Sequence, residues 1–439
     1  MNNSRRLQQV ISAILVAGFL LGCGTPAVAP TPPPPSPTIP PPPALPPTIP
    51  PPPALPPTIP PPPPLPPTIP PPPPVPPTIP PPTQPLVPPR TPALPGQPGI
   101  FKFIRTLQVT PDANFLNGGF ARINYVPATD RLVVTFGGRL AQPSGGCIDT
   151  GYSYKVYTTD MQETGESGTF ACDVVDAGSV MVDNNYYFAA MGRKADQFGW
   201  HLLKIDAVRW ETLVDTFFPV DYPKEGEADP MVAYVNGQID ISSAYSVGGK
   251  PPDVNTTAAG YGAHHQLFST DLQFLGKEIL TDTPHVHGSY MVYVEGVYYL
   301  VTADAYAGDV VVIKYDKNWR YLGVQTIIPQ AHFSTGLVYD NQQFYVAYTD
   351  TRQRTGPGFF PVYLNIHLAA FDRDWTLIDD VAVTDYTPAD NMQTGRPWVI
   401  LQGNRLYVSY DLDTRDPVTH EERLKGQAIV SVYELRQSP

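Results

Sequence analysis

From residue 100 to the C terminus, apolar residues come in short runs of strand length and not at helical spacing. The runs form pairs joined by turns rich in Asp, Asn and Gly, which is the pattern of β-hairpins. These turns begin at Val126, Val182, Val235, Val294, Tyr339 and Leu401. The strand after each turn places an equivalent residue at Leu132, Tyr186, Ile239, Tyr298, Phe344 and Leu406, in steps of 46 to 62 residues. The pattern predicts a degenerate six-fold repeat.

A second hairpin completes each repeat. Its turn carries an Asp, as in Asp316–Trp319 and Asp372–Trp375, with weaker versions near Asp160, Asp206 and Asp271. Asp suits such turns because its carboxylate accepts hydrogen bonds from nearby backbone amides. Four strands in a unit of about 55 residues resemble a β-propeller blade. The expected fold is therefore all-β, a six-bladed β-propeller of four-stranded blades.

The ends of this region favour a closed ring over a β-sandwich. The sixth repeat stops after its third strand, "GQAIVSVYEL", and has no fourth. The stretch "FIRTLQVT" at 103–110 precedes the first repeat and looks like the missing outer strand. We expect the N-terminal strand to complete the last blade, because this closes the ring and leaves no open sheet edge.

Long connections between the second and third strands should lie on one face of the ring. They are expected at 137–153, 191–200, 245–265, 350–363 and 411–426. Long loops on a rigid scaffold are where binding sites are usually built. Neutral insertion is the alternative explanation of their length.

Polar residues are expected at the strand entries on this face. Alignment of the repeats without gaps brings five positions to one level, namely Asp176, Asp229, Gly288, Ser334 and Arg396, with Arg122 close by. We interpret Asp176 and Asp229 as a candidate catalytic pair. The candidate ligand-binding residues are Arg122, His285, His287, His332 and Arg396.

Metal binding is not expected at these histidines. His332 aligns with Val286 and not with His287, so three histidines would not share a level. A buried, hydrogen-bonded pair at His285 and His287 is the alternative to a ligand-contacting one. The stretch "DLDTRDPVTHEE" at 411–422 matches a calcium loop only at Asp411, Asp413 and Glu422, and Asp416 stands where such loops need glycine. No cofactor is predicted.

The N terminus has the composition of an export signal. Arg5 and Arg6 precede the apolar stretch "VISAILVAGFLL" at 10–21, which is too short to span a bilayer. The ending "LLGC" resembles the lipobox of bacterial lipoproteins, which implies cleavage after residue 22 and a lipid on Cys23. Gly24 follows Cys23, and the resemblance then implies an outer-membrane or cell-surface destination. An ordinary signal peptide with a chance cysteine is the alternative.

Residues 23–99 form a proline-rich linker. Residues 26–98 contain 42 prolines and no acidic residue, and a unit beginning "TIPPPP" recurs every ten residues from Thr38. Proline removes the backbone donor and fixes φ, so this segment cannot form a core and should adopt polyproline II. We interpret it as a stalk that holds the domain at 100–439 away from the membrane. A ligand for a proline-binding module is the alternative.

The charge of the folded part limits the kinds of molecule that it could bind. The folded part carries all 40 acidic residues and all but three of the 28 basic ones, which argues against nucleic acid and polyanionic glycans as binding partners.

Cys147 and Cys172 flank the second hairpin of the first repeat, so an exported protein should join them in a disulfide. We expect a monomer.

One strand resembles a family of enzymes. The stretch "EADPMVAYVNGQI" at 227–239 looks like the blade openings of arabinanase- and xylosidase-type glycoside hydrolases. That resemblance implies that Asp176 and Asp229 form an acidic catalytic pair. Two functions follow: a surface-tethered binding protein for a ligand such as a neutral glycan, and a glycosidase-like enzyme.

Overall fold

The structure is a computed structural model. It describes residues 99–110, 121–137, 151–172, 174–194, 197–220, 228–246, 261–280, 286–304, 309–329, 331–350, 364–386, 390, 392–415 and 422–436. Residues 1–98, and with them Cys23 and the proline-rich linker, lie outside this range. Within the part of the chain that is described, no helix is both long enough and apolar enough to cross a membrane.

The described residues form 24 strands in six four-stranded antiparallel sheets, which confirms the predicted all-β fold. Each sheet is one blade, and its strands run from the inside to the outside of the ring. Blade 1 consists of β2 (Arg122–Val126), β3 (Arg131–Gly137), β4 (Gly151–Thr158) and β5 (Glu163–Cys172). Blade 2 consists of β6 (Val174–Val182), β7 (Asn185–Lys194), β8 (Gln197–Asp206) and β9 (Glu211–Pro219). Blade 3 consists of β10 (Ala228–Val235), β11 (Gln238–Ser246), β12 (Tyr261–Phe268) and β13 (Phe274–Leu280).

The other three blades repeat this order. Blades 4 and 5 consist of β14 (Val286–Val294), β15 (Val297–Asp304), β16 (Asp309–Asp316) and β17 (Tyr321–Ile328); and β18 (Ala331–Tyr339), β19 (Phe344–Asp350), β20 (Asn365–Phe371) and β21 (Leu377–Ala382). Blade 6 consists of β22 (Met392–Gln402), β23 (Arg405–Arg415), β24 (Glu422–Leu435) and, on the outside, β1 (Phe101–Gln108). A 3-10 turn, Pro127–Thr129, lies between β2 and β3.

The six inner strands close into a ring. Each inner strand contacts the inner strands of both neighbouring blades, including β2 with β22. The buried core lies between the blades, where aliphatic and aromatic side chains from adjacent sheets interleave. The inner strands read as nearly continuous apolar runs because both of their faces are covered. The predicted β-propeller is therefore confirmed.

The predicted ring closure is also confirmed. β1 pairs antiparallel with β24, with Phe101 opposite Leu435 and Gln108 opposite Ile429. Phe101 packs edge-to-face against Tyr345 of blade 5, with ring centroids 6.2 Å apart. The strand from the chain start thus covers an edge of β24 that would otherwise expose unpaired backbone groups.

The second hairpins share one turn geometry. The Asp316 carboxylate accepts hydrogen bonds from the backbone amides of Asn318 and Arg320, each at 2.9 Å. Trp319 then adopts a positive φ of 62° and stacks on Tyr298 at the start of β15, with ring centroids 4.3 Å apart. The left-handed position after an Asp turn places an aromatic ring against the core. An equivalent residue with positive φ occurs in the other second hairpins, at Met161, Trp210, Leu272 and Trp375.

Two expectations about loops are wrong. Residues 191–200 are mostly strand, because β7 and β8 stay paired up to Lys194 and Gln197. The start of the expected loop at 411–426 is also strand, because β23 runs to Arg415 and Asp411 and Asp413 inside it pair with β22.

Candidate functional site

Five inner strands break their register at the same end of the ring. The breaks lie at Val175–Ala177, Ala228–Met231, Val286–Tyr290, His332–Gly336 and Gly395–Trp398. In each break, the inner strand carries at least one more residue than its partner, which is the definition of a β-bulge. We call this end the mouth, and the opposite end, which carries the hairpin turns, the turn end.

The positions that sequence alignment placed at one level fall in these breaks. Asp176, Asp229, Gly288, Ser334 and Arg396 each lie inside the break of their own blade. A bulge bends the strand locally and interrupts its ladder of hydrogen bonds, and such bulges are common beside active sites. The chain is therefore locally irregular at the level where the sequence places its polar residues.

Arg396 is held in an unusual backbone conformation by a buried carboxylate. Its φ is 50°, in the left-handed region that non-glycine residues rarely adopt. Its Nη1 lies 3.3 Å from Oδ2 of Asp411, whose side chain is fully buried. Oδ1 of Asp411 accepts a hydrogen bond of 3.0 Å from the backbone amide of Ala121, in front of β2. The carboxylate thus joins blade 6 to blade 1 and positions the partly exposed guanidinium at the mouth.

Arg122 lies beneath Arg396. Its Nη1 donates to the carbonyl oxygen of Arg396 at 3.2 Å, and its guanidinium lies 4.9 Å from the ring centre of Trp398. Burial lowers the pKa of Arg122, and the negative charge of Asp411 opposes that change. The structure therefore brings the two predicted arginines together, with Arg122 as a buried support and Arg396 as the more accessible group.

Two aromatic side chains meet below the mouth. Tyr290 of blade 4 meets Trp398 of blade 6 edge-to-face, with centroids 4.7 Å apart. These blades are not neighbours, so the two side chains can meet only near the axis. Trp398 Nε1 donates to the carbonyl oxygen of Ile123 in blade 1, at 3.1 Å. The side chains of Tyr290 and Trp398 therefore lie close to the ring axis below the mouth.

Two glycines let neighbouring blades approach each other just below the breaks. A Cβ at Gly178 would overlap the backbone of Pro230 and Met231, and one at Gly336 would come within 2.6 Å of the backbone nitrogen of Val399. Only glycine allows such close contact between strands. These contacts fix the spacing of blades 2 and 3 and of blades 5 and 6 around the mouth.

The remaining predicted site residues are placed only in part. The backbones of Asp176, Asp229, His287 and His332 are described, but their side chains are not, and His285 lies outside the described residues. His332 pairs with Thr349 and Val286 pairs with Ala303, so the predicted equivalence of His332 and Val286 is confirmed. The proposed roles of these residues stay predictions.

Sequence reasoning misplaced one aromatic residue. Trp200 is the last residue of the segment 191–200, which was expected to be a loop. It is instead fully buried in β8, and its Nε1 donates to Oε1 of Gln266 in blade 3 at 3.0 Å. It is a core residue between two blades.

A carboxylate–histidine cluster in blade 5 escaped the sequence analysis. His367 lies between two acids, with Nε2 3.3 Å from Asp350 and Nδ1 3.1 Å from Asp380, and the Tyr348 hydroxyl donates to Asp380 at 2.9 Å. Burial disfavours the charged imidazole, but the hydrogen bonds to both carboxylates outweigh it, so the pKa of His367 is raised. These residues are far apart in sequence and carry no motif, and only the pairing of β19, β20 and β21 reveals them.

The described residues contain no group of three or more His, Cys, Asp or Glu side chains arranged to hold a metal ion. In the His367 cluster, the two carboxylates contact opposite nitrogens of the ring. That arrangement suits a charged hydrogen-bond bridge between strands. It does not suit shared coordination of one cation, for which the donor atoms must converge.

Cys172 is the last residue of β5. Cys172 has an interaction partner in the structure. The cysteine expected to form a disulfide with it, Cys147, lies outside the described residues. The pairing of these two cysteines stays a prediction.

Of the comparisons with known proteins, the one with solved structures finds similar folds. No protein-family model and no curated protein matches the sequence. The subtype N10 neuraminidase-like protein of A/little yellow-shouldered bat/Guatemala superimposes with a TM-score of 0.45 at 7% identity, over 77% of this chain and 99% of that one. The GH43 protein BlXynB from Bacillus licheniformis gives 0.42 at 11% identity, over 58% of this chain and 52% of that one. The GH43_1 enzyme from Xanthomonas citri gives 0.40 at 14% identity, over 62% and 93%.

Proposed function

We propose that the mouth of the propeller binds a ligand and that the chain is a surface-tethered binding protein for a neutral glycan. The observation that carries this proposal is the set of five aligned register breaks, at which the inner strands stop their regular pairing. Bulges of this kind occur often beside functional sites, because they redirect side chains. Their repetition at one level makes a concave, irregular end on an otherwise regular ring.

The chemistry at Arg396 suits hydroxyl-rich ligands. Its guanidinium offers hydrogen-bond donors, and the side chain is 38% exposed even though Asp411 holds it. A sugar presents hydroxyls that accept from Arg and donate to carboxylates such as those of Asp176 and Asp229. The excess of acidic residues in the folded part disfavours a polyanionic glycan.

The described chain enters the propeller at the turn end and not at the mouth. Rows of paired residues cross blade 6 at both ends: Arg405, Glu434 and Lys102 at the turn end, and Gly395, Asp411 and Ala428 at the mouth. β1 begins at Phe101, next to the first of these rows, so the linker joins the propeller at the turn end.

A glycan array tests the binding function. The full chain should bind neutral glycans, and Arg396→Gln should reduce that binding while leaving the melting temperature within a few degrees of wild type. Acidic glycans serve as the comparison set. Equal retention of neutral and acidic glycans, or unchanged binding by the variant, would count against the proposal.

A glycosidase-like enzyme is the second candidate. Asp176 and Asp229 lie in equivalent breaks of the neighbouring blades 2 and 3, which is where paired carboxylates could flank a glycosidic bond. A carboxyl separation of about 5 Å would give retention at the anomeric carbon, and one of roughly 6.5–9.5 Å would give inversion. Under this function, Asp229→Asn should abolish hydrolysis of neutral oligosaccharides but preserve their binding.

Tethering by lipid rests on the sequence around Cys23. If Cys23 carries lipid, the protein should partition into detergent, and Cys23→Ser should move it into the soluble fraction. Unchanged partitioning of the variant would contradict the anchor. The destination at the outer membrane or cell surface, and the monomeric state, are part of the same proposal.

The proposal that the protein is exported includes a disulfide between Cys147 and Cys172. Joining Cys147 and Cys172 would close a loop of about 26 residues and stabilise the first blade by roughly 3.5 kcal/mol in the chain-entropy model. Alkylation without reductant, followed by mass spectrometry, should find neither cysteine labelled. Labelling of both cysteines in the folded protein would contradict the bond.

A further inference from the structure

A groove crosses the seam between blades 5 and 6 at the turn end. Its volume is about 560 Å³, and its lining includes Ile100, Tyr339, Tyr345, Leu401, Asn404 and Leu435. The lining combines these tyrosines and aliphatic side chains with a polar side that consists of Asp340, Asn341, Gln342, Gln343, Asn404 and Arg436. Grooves with aromatic walls and nearby amide donors are the usual docking sites of polyproline II segments.

The chain enters the propeller beside this groove. The carbonyl oxygen of Gly99 accepts a hydrogen bond of 3.3 Å from Arg436 of blade 6. The backbone amide of Ile100 donates to Oδ2 of Asp379 in blade 5 at 2.8 Å. The entering chain is therefore fixed on both sides of the seam, and Ile100 itself is part of the groove lining.

We propose that this groove holds the last part of the proline-rich linker, with the tetrapeptide Pro-Ala-Leu-Pro at 92–95 as the docked segment. Leu94 supplies an apolar side chain for the contact with Leu401 and Leu435. Residues 96–99 connect the tetrapeptide to Ile100 and reach at most about 14 Å, so the segment cannot move far from the groove. That tether gives a high effective concentration, and a polyproline II segment loses little entropy when it docks.

Trypsin offers a direct probe of this contact. Arg90 is the single basic residue between Leu7 and Phe101, so the Arg90–Thr91 bond is the only tryptic site in the linker. Docking of residues 92–95 should protect that bond in the full chain. Leu94→Asp should raise the rate of its cleavage about tenfold, because an anchor worth one buried leucine is lost. The fragment that begins at Thr91 is followed by mass spectrometry.

The linker supplies its own matched control. The same Pro-Ala-Leu-Pro tetrapeptide occurs at 43–46 and 53–56. Leu45→Asp should leave the cleavage rate at Arg90 unchanged. Synthetic peptides spanning 84–98, with and without Leu94→Asp, measure the effect of the substitution on trypsin itself. A groove variant, Asn404→Ala, should speed cleavage in the same direction as Leu94→Asp while keeping the wild-type melting temperature.

Three results would overturn the proposal. The first is cleavage of the wild-type chain as fast as the free peptide. The second is an equal effect of Leu45→Asp and Leu94→Asp. The third is protection that rises with protein concentration, which would assign the groove to a second copy of the chain.

Discussion

The guanidinium of Arg396 and the buried carboxylate of Asp411 lie 3.3 Å apart within blade 6, and the other oxygen of that carboxylate joins this last blade to the first by accepting a hydrogen bond from the Ala121 amide. The seam between blades 6 and 1 is where a propeller must close. The same pair holds the backbone of Arg396 in a left-handed conformation at the mouth. One buried carboxylate thus contributes both to the seam, through Ala121, and to the site geometry, through Arg396.

Asp411→Ala should be strongly destabilising. The substitution removes the acceptor of the Ala121 amide and the partner of Arg396, and breaking a buried ion pair typically costs about 3–5 kcal/mol. Since Arg396 is partly exposed and can turn to water, we expect roughly 2–3 kcal/mol, measured by denaturant unfolding. In a double-mutant cycle with Arg396→Gln, the two substitutions should be non-additive. Full additivity would show that the pair does not support the seam.

Removing the closing strand should abolish cooperative folding. Deletion of residues 100–110 exposes the edge of β24 and takes Phe101 out of the core between blades 5 and 6. We expect aggregation or loss of a cooperative melting transition. Deletion of 31–89 is the control and should leave the melting temperature nearly unchanged. Melting of both variants like the full chain would contradict the contribution of β1 to stability.

Trp375 should contribute far more stability than an exposed apolar residue nearby. It is 3% exposed, and its ring stacks on Phe344 with centroids 4.2 Å apart. Trp375→Ala should cost about 3–5 kcal/mol because a large buried side chain leaves a cavity. The control Leu322→Ala removes a side chain that is 48% exposed and should change the unfolding free energy by less than about 0.5 kcal/mol. Similar losses of unfolding free energy in the two variants would show that the packing of Trp375 does not stabilise the core.

Stability should depend on pH through His367. Its pKa is raised in the folded protein, so the stability it contributes is complete below about pH 6.5, the ordinary pKa of histidine, and is lost as the pH rises through the folded value. Wild type should therefore exceed His367→Gln in melting temperature by more at pH 5.5 than at pH 9. The relevant neighbours are Asp350, Asp380 and the Tyr348 hydroxyl. A difference that is constant with pH would mean that the histidine does not bridge the acids in its charged form.

Much of the fold was predictable from the sequence because the propeller repeats. Two kinds of local pattern were visible. The turn signals at Val235 and Leu401 each imply a hairpin, and the third strand at the C terminus implies a fourth strand that must pair with it. The positions at one level, from Asp176 to Arg396, were found by counting residues from those turns. The register breaks at that level were not predictable, because a bulge of one to three residues leaves no signal in alternation.

Side-chain partners were harder to predict. Asp411 interrupts the apolar run of β23, which was a visible signal, but the segment 411–426 was predicted to be a loop, so no partner in a neighbouring strand was expected. The partner Arg396 lies on another strand, and Ala121 lies in another blade. Trp200 could not be assigned to the core because the predicted loop at 191–200 is in fact paired strand. Contacts between blades depend on ring geometry that no single repeat encodes.

The central claim is that the mouth, and not the turn end, is the ligand-binding site. The most direct measurement compares melting temperature and retention on a neutral-glycan array for wild type, His287→Ala and Asp229→Asn. We predict that both variants melt close to wild type and lose retention, because their positions lie at the register breaks of the mouth. Marked destabilisation with unchanged retention would contradict it and would make these residues part of the structural framework.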